Sequence, residues 1–101
     1  MVRHVIIWTL KDEYTDSEKE TIRQGIKEGL EGLRGKIPGL KEIHVRTRGL
    51  VSSKGDLMLD SLFEDEEALK AYSTNPLHVD VANGKVRPHV KIRSCFDFEV
   101  E

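Results

Sequence analysis

The stretch RHVIIWTL, residues 3–10, carries apolar side chains on both faces: His4, Ile6, Trp8 and Leu10 on one, Val5 and Ile7 on the other. Its β-branched content predicts a strand. A strand covered on one side should alternate apolar with polar. This one does not, so something must cover each side.

Working outward, Thr15-Asp-Ser-Glu18 has the form of a capping box. Behind it Ile22, Ile26, Leu30 and Leu33 make one apolar stripe, which predicts a helix over 16–34 ended by Gly35. IPGL (37–40) is a turn signal and KEIHVRTR (41–48) alternates as a half-buried strand. GLVSSKG (49–55) reads as a polar loop. DLMLDSLF (56–63) is a third strand, with Leu57, Leu59 and Phe63 on one face and Met58, Asp60 and Leu62 on the other. EDEEALKAYST (64–74) reads as a short helix with acidic residues in its first turn, where they suit the helix dipole. Asn75-Pro76 matches an N-cap followed by proline at the first helical position, so a second short helix starts there and ends near Asn83-Gly84. HVKIRSCFDFEV (89–100) is the fourth strand, with Val90, Ile92, Phe96, Phe98 and Val100 on one face.

The order β-α-β-β-α-β is the split βαβ pattern of an α+β, ferredoxin-like fold: two helices on one face of a four-stranded antiparallel sheet, in one domain over residues 1–101. The other face stays bare. Val5, Ile7, Met58 and Leu62 would stand in water there, and the simplest cover is a second copy under two-fold symmetry. Asp60, Asp97, Arg46, Arg93 and Lys91 are expected on the same bare side.

Composition narrows the function classes. The chain has 101 residues with 16 basic against 18 acidic, a formal charge of -2, so no whole-chain signature for nucleic acid or an anionic membrane exists. No apolar run approaches the ~20 residues of a membrane span, and the N-terminus does not read as a secretory signal. A cytosolic protein is expected. The single cysteine, Cys95, allows no internal disulfide and reads as a buried or half-buried thiol in a strand. His4, His44, His78 and His89 show no zinc-ligand spacing; His89, at a strand start, reads as exposed.

AYSTNPLHVDVANG (71–84) breaks a helix between a tyrosine and a histidine. The break either caps a second helical segment and no more, or turns Tyr72 and His78 toward one cavity, where they would meet His4. Two imidazoles and a phenol in an apolar pocket are suitable acid–base equipment.

The opening VRHVIIWTLKDEYT, IPGLKEI after the first helix, FEDEEALKAY and NPLHVDVA around the second, and FDF near the end follow in the order of a known family. The chain resembles the stress-responsive dimeric α/β-barrel (Dabb) proteins over essentially its whole length. The resemblance implies a homodimer whose two sheets close into a barrel. Its best-understood branch is a plant polyketide cyclase, and that similarity implies His78 as base, Tyr72 as substrate-positioning group and His4 in the same pocket. It further implies pocket positions at Ile26 and Leu57; Ile6 and Trp8, on the strand face of His4, and the apolar Ile22 and Leu59 are expected to line the same pocket. Here Leu57 stands at a pocket histidine of the cyclase, Ile26 at a pocket tyrosine, and Asn75 at the first histidine of its H-P-x-H motif, so a more apolar pocket is expected. Some family structures carry magnesium on main-chain carbonyls; the matching positions are Arg34, Ile37 and Leu40. No cofactor is required by the resemblance.

Three functions are therefore carried forward: a cofactor-independent cyclase, lyase or isomerase acting on a small apolar or aromatic carbonyl compound; a non-catalytic binder of small hydrophobic ligands or stress-response protein; and, by analogy of fold, a cofactor-free oxygenase.

Overall fold

A computed structural model describes residues 1–100. Its elements are strand β1 (Val2–Leu10), helix α1 (Asp16–Glu31), strands β2 (Leu40–Arg46) and β3 (Leu57–Phe63), helices α2 (Glu66–Thr74) and α3 (Pro76–Val81), and strand β4 (Val90–Glu99). The strands form one antiparallel sheet in the order β2-β3-β1-β4, with β1 and β3 at its centre. This is the ferredoxin-like arrangement, with the helices packed on one face.

Local chemistry accounts for the elements. The capping box forms in full: Glu18 N donates to Thr15 Oγ1 at 3.1 Å, and Thr15 N donates to Glu18 Oε1 at 2.9 Å. α1 ends at Glu31, a turn earlier than the apolar spacing predicts, because the chain tightens through Gly32 into turns before Gly35 (φ 79°). Leu33 is still buried beyond the helix end, which is why it continues the stripe. Asp65 caps α2, accepting from Ala68 N at 2.8 Å.

The second short helix runs on past Asn83-Gly84. After α3 the backbone widens into a π-turn over Ala82–Val86 and tightens into a 3-10 turn over Arg87–His89. His89 is half-buried rather than exposed, since Tyr14 Oη and its Nδ1 lie 2.8 Å apart.

Leu10, Ile26, Ile43 and Phe63 are fully buried between sheet and helices. Fully burying such a side chain stabilises by roughly 1.5–3 kcal/mol. Gly29, costly in a helix on propensity alone, allows α1 and the α3 segment to approach: a Cβ there would lie 2.9 Å from Val81 Cγ1. Gly39 is constrained twice, by φ 80° and by an Ala68 Cβ that an added methyl would meet at 2.5 Å. Gly39→Ala is therefore expected to destabilise the protein by on the order of 1–3 kcal/mol, read as a lower denaturant midpoint with an unchanged slope.

The open face of the sheet departs from expectation in one respect. Arg46 and Asp60 do lie on it, and Arg3 Nη1 pairs with Asp60 Oδ1 at 2.6 Å. Arg93 and Asp97 lie on the helix side instead, opposite Trp8 and His4. Lys91 turns away to Asp12, at 2.7 Å, where the β1–β4 register slips between Thr9 and Leu10. That slip puts Val90 on the helix face and sends Ile92, Phe96 and Phe98 to the open face. The apolar surface around Val5, Ile7, Met58 and Leu62 is thus larger than the sequence predicts. Phe96 is 70% exposed and Ile92 51%.

Candidate active site

Asn75 interrupts the helical run by adopting an extended conformation (φ -64°, ψ 128°) between α2 and α3. Its side chain then caps the second segment, accepting from Leu77 N at 2.9 Å. Pro76 at the first helical position has no N–H to leave unpaired. The result is a corner. Tyr72 sits in the last turn of α2, His78 in the first turn of α3, and their rings lie 4.1 Å apart at 33°.

Both rings border a cavity of about 630 Å³ between the helices and the β1–β4 half of the sheet. That size suits a small organic ligand. His4 reaches it from β1, with its ring 6.2 Å from that of Tyr72, edge to face. The three residues singled out from the sequence therefore share one cavity. Ile6, Trp8 and Leu59 line it as well. Ile22, Ile26 and Leu57 do not. Ile26 and Leu57 are buried in the core, and Ile22 packs half-buried against that core. α1 packs chiefly against β2, at the sheet edge opposite β4, so of its apolar stripe only Leu30 reaches the cavity. At the other end of α1, the Ile37 carbonyl accepts from Leu40 N at 3.2 Å and closes the turn at the positions where the resemblance implies magnesium.

Two features of the cavity bear directly on chemistry. Tyr72 Oη and His78 Nδ1 are buried and have no hydrogen-bond partner among the described residues. Leaving such groups unpaired costs about 1–3 kcal/mol each. Burial also pushes the Tyr72 phenol well above its ordinary pKa, so it stays an O–H donor. For His78, burial lowers the pKa from its ordinary value, and Arg87 and His4 act in the same direction. Backbone groups of Ser73 and Tyr72 counter part of this without satisfying Nδ1. His78 is thus held neutral.

This shift links stability to pH. An imidazole whose folded pKa is depressed takes up its proton more readily when unfolded, so stability falls as pH drops below the unfolded value of 6.5. Denaturant unfolding between about pH 7.5 and pH 5.5 should show a loss in the wild type that His78→Gln lacks. Identical profiles would remove the assignment of a neutral His78 with a buried Nδ1.

Sequence reasoning missed the partner of His4. Its Nδ1 lies 2.5 Å from Asp97 Oδ1, across the β1–β4 pairing. A carboxylate on one ring nitrogen fixes the tautomer and the ring orientation and leaves Nε2 for a ligand. Cys95, on the same face of β4, is exposed rather than buried because β4 is an edge strand, and it places Sγ 3.4 Å from Asp97 Oδ1. The signal was the i, i+2 spacing of Cys95 and Asp97, but only the strand register shows which face they occupy.

The stress responsive A/B barrel domain model matches residues 2–100. The chain belongs to that family. Among solved structures, this A/B barrel protein is similar to a dimeric protein of unknown function with a ferredoxin-like fold from Bacteroides fragilis, at 27% identity and a TM-score of 0.90, covering 98% of this chain and 95% of that one. It shares its fold with a hydroxynitrile lyase from Passiflora edulis (14% identity, TM-score 0.71, 99% and 93% covered). It also shares it with a putative antibiotic biosynthesis monooxygenase from Nitrosomonas europaea (9% identity, TM-score 0.75, 99% and 98% covered). No curated protein sequence matches significantly. Among the described residues of the A/B barrel domain, no helix is long and apolar enough to cross a membrane.

Proposed function

We propose that the protein is a homodimeric, cofactor-independent enzyme of the cyclase, lyase or isomerase type, moving a proton at the carbon next to the carbonyl of a small apolar or aromatic compound. The observation that carries this reading is the pair of buried, unpartnered groups, Tyr72 Oη and His78 Nδ1, on one cavity. A ligand carbonyl offers a partner the protein itself lacks. His78, neutral at physiological pH, takes the proton. Tyr72 donates to the oxyanion that develops on the carbonyl. His4, held by Asp97, hydrogen-bonds the ligand through Nε2 or assists as acid when protonated. The proton on His78 then returns to the rearranged product or to the leaving group. Ile6, Trp8 and Leu59 supply an apolar wall that excludes water and strengthens each of these interactions.

The homodimer is part of the same proposal. It is supported by the apolar open face and by the dimeric Bacteroides fragilis relative. That a lyase shares the fold is a reason to test lyase reactions first.

The apolar wall equally suits a second reading, a carrier that binds a small hydrophobic molecule without changing it. One experiment separates the two. Small aromatic and alkyl aldehydes, ketones and β-dicarbonyl compounds are screened by thermal shift, where a ligand raises apparent stability by mass action. Each hit is then recovered after incubation and identified by NMR. A compound chemically changed at or beside its carbonyl supports the enzyme. Hits that all return unchanged support the carrier, and conversion that consumes oxygen supports an oxygenase.

A further inference from the structure

Outside the Tyr72–His78 corner, the floor of the cavity holds a second cluster. His4, Cys95 and Asp97 come from two strands, and their donor atoms lie within 4.8 Å of one another. Sγ of Cys95 is 3.8 Å from His4 Nδ1 and 3.4 Å from Asp97 Oδ1, and those two atoms are 2.5 Å apart. We propose that this cluster binds a divalent thiophilic cation, zinc by preference, through His4 Nδ1, Cys95 Sγ and Asp97 Oδ1, with a coordination position left open to the cavity.

The donor set fits zinc, which takes sulfur, imidazole nitrogen and carboxylate oxygen together. Zn–S bonds of about 2.3 Å and Zn–N or Zn–O bonds of about 2.0–2.2 Å, arranged tetrahedrally, separate neighbouring donors by roughly 3.3–3.6 Å. The two sulfur edges of the triangle are already near that spacing. Only the nitrogen–oxygen edge must open, by roughly 1 Å, and the half-exposed Asp97 side chain has room to move. Three protein ligands and one open position is the arrangement of zinc sites that accept an exogenous ligand. All three residues line the cavity. Tyr72, 2% exposed, brings its unpartnered hydroxyl to the same space, so a ligand on the open position would meet a donor there.

Burial and the neighbouring Asp97 carboxylate raise the Cys95 thiol pKa, and His4 and Asp97 are hydrogen-bonded to each other. A cation binds the thiolate, so it must displace the thiol proton, and its affinity rises with pH. In the zinc form His4 Nδ1 and Asp97 Oδ1 are ligands instead of a hydrogen-bonded pair. The metal-bound and metal-free clusters are therefore alternative states of the cavity, and the proton transfer proposed above belongs to the metal-free one. The inference stands or falls on ion binding alone.

The test is calorimetric titration of the reduced, metal-free protein with zinc chloride, paired with the absorption spectrum of the cobalt(II) form. One ion per chain is expected, with a thiolate-to-cobalt charge-transfer band. Cys95→Ser and Asp97→Asn, both at exposed positions on β4, should each weaken zinc by at least about 10-fold, and the charge-transfer band should vanish in Cys95→Ser. Affinity should also fall on acidification. No saturable binding, no thiolate band in the wild type, or binding left unchanged by both substitutions would each overturn the proposal.

Discussion

His78→Ala is expected to slow conversion of the compound identified by ligand screening by about 10²–10⁴-fold, the usual contribution of a positioned base, while the protein remains folded and dimeric. The fold should tolerate the change because His78 is only half-buried, in the first turn of a short helix whose cap, Asn75, is untouched. Tyr72→Phe sharpens the argument. It keeps the ring that packs between Phe63 (centroids 4.9 Å) and His78 (4.1 Å) and removes only the hydroxyl. Since that hydroxyl is buried without a partner, its loss should leave stability unchanged or raise it. Catalysis should nonetheless fall by about 10²–10³-fold, as when one oxyanion donor is removed. A variant that is more stable and less active separates a functional hydroxyl from a structural one. Full activity in His78→Ala would remove it from the role of base.

The second large effect is expected at the open face of the sheet. Phe96 is 70% exposed on β4, opposite Val5, so within one subunit it contributes little packing. A second copy gives it a place to be buried. Phe96→Asp takes one aromatic side chain from each of two symmetry-related positions, about 2 kcal/mol apiece, or on the order of 10³-fold in the dimer dissociation constant. Placing a carboxylate in that interface adds to the loss. Sedimentation equilibrium should show the variant dissociating where the wild type does not. An unchanged dissociation constant would mean that the partner does not sit on this face.

Much of this architecture is legible without coordinates, for identifiable reasons. The doubly apolar β1 announces a sheet with something on both sides. Thr15–Glu18 and Asn75-Pro76 mark helix starts because caps are local chemistry, written within four residues. Tyr72, His78 and His4 could be singled out together because the corner at Asn75 is local as well, and because they match a family pattern. What could not be read is what depends on strand register. A slip of one residue reverses every side chain of a strand. The irregularity between Thr9 and Leu10, where Lys91 leaves the ladder, decides that Asp97 meets His4 rather than the open face. The same slip hides the His4–Cys95–Asp97 cluster, since His4 is separated from the Cys95–Asp97 pair by most of the chain and only the register brings them together. Ile22, Ile26 and Leu57 fail as cavity residues for a related reason. Periodicity identifies the buried face of an element but not which part of the covering layer stands above it. The π-turn over Ala82–Val86, which carries Val86 into the cavity wall, has no sequence signature of comparable strength.

The central claim is that this cavity removes a proton beside a carbonyl. It is tested most directly by dissolving the compounds that bind in D2O and following their α-protons by NMR with and without the protein. The account predicts exchange for deuterium well above the buffer rate in at least one bound compound, with the excess lost in His78→Ala. Compounds that bind in the cavity yet exchange no faster than in buffer, or as fast with His78→Ala as with the wild type, would contradict it.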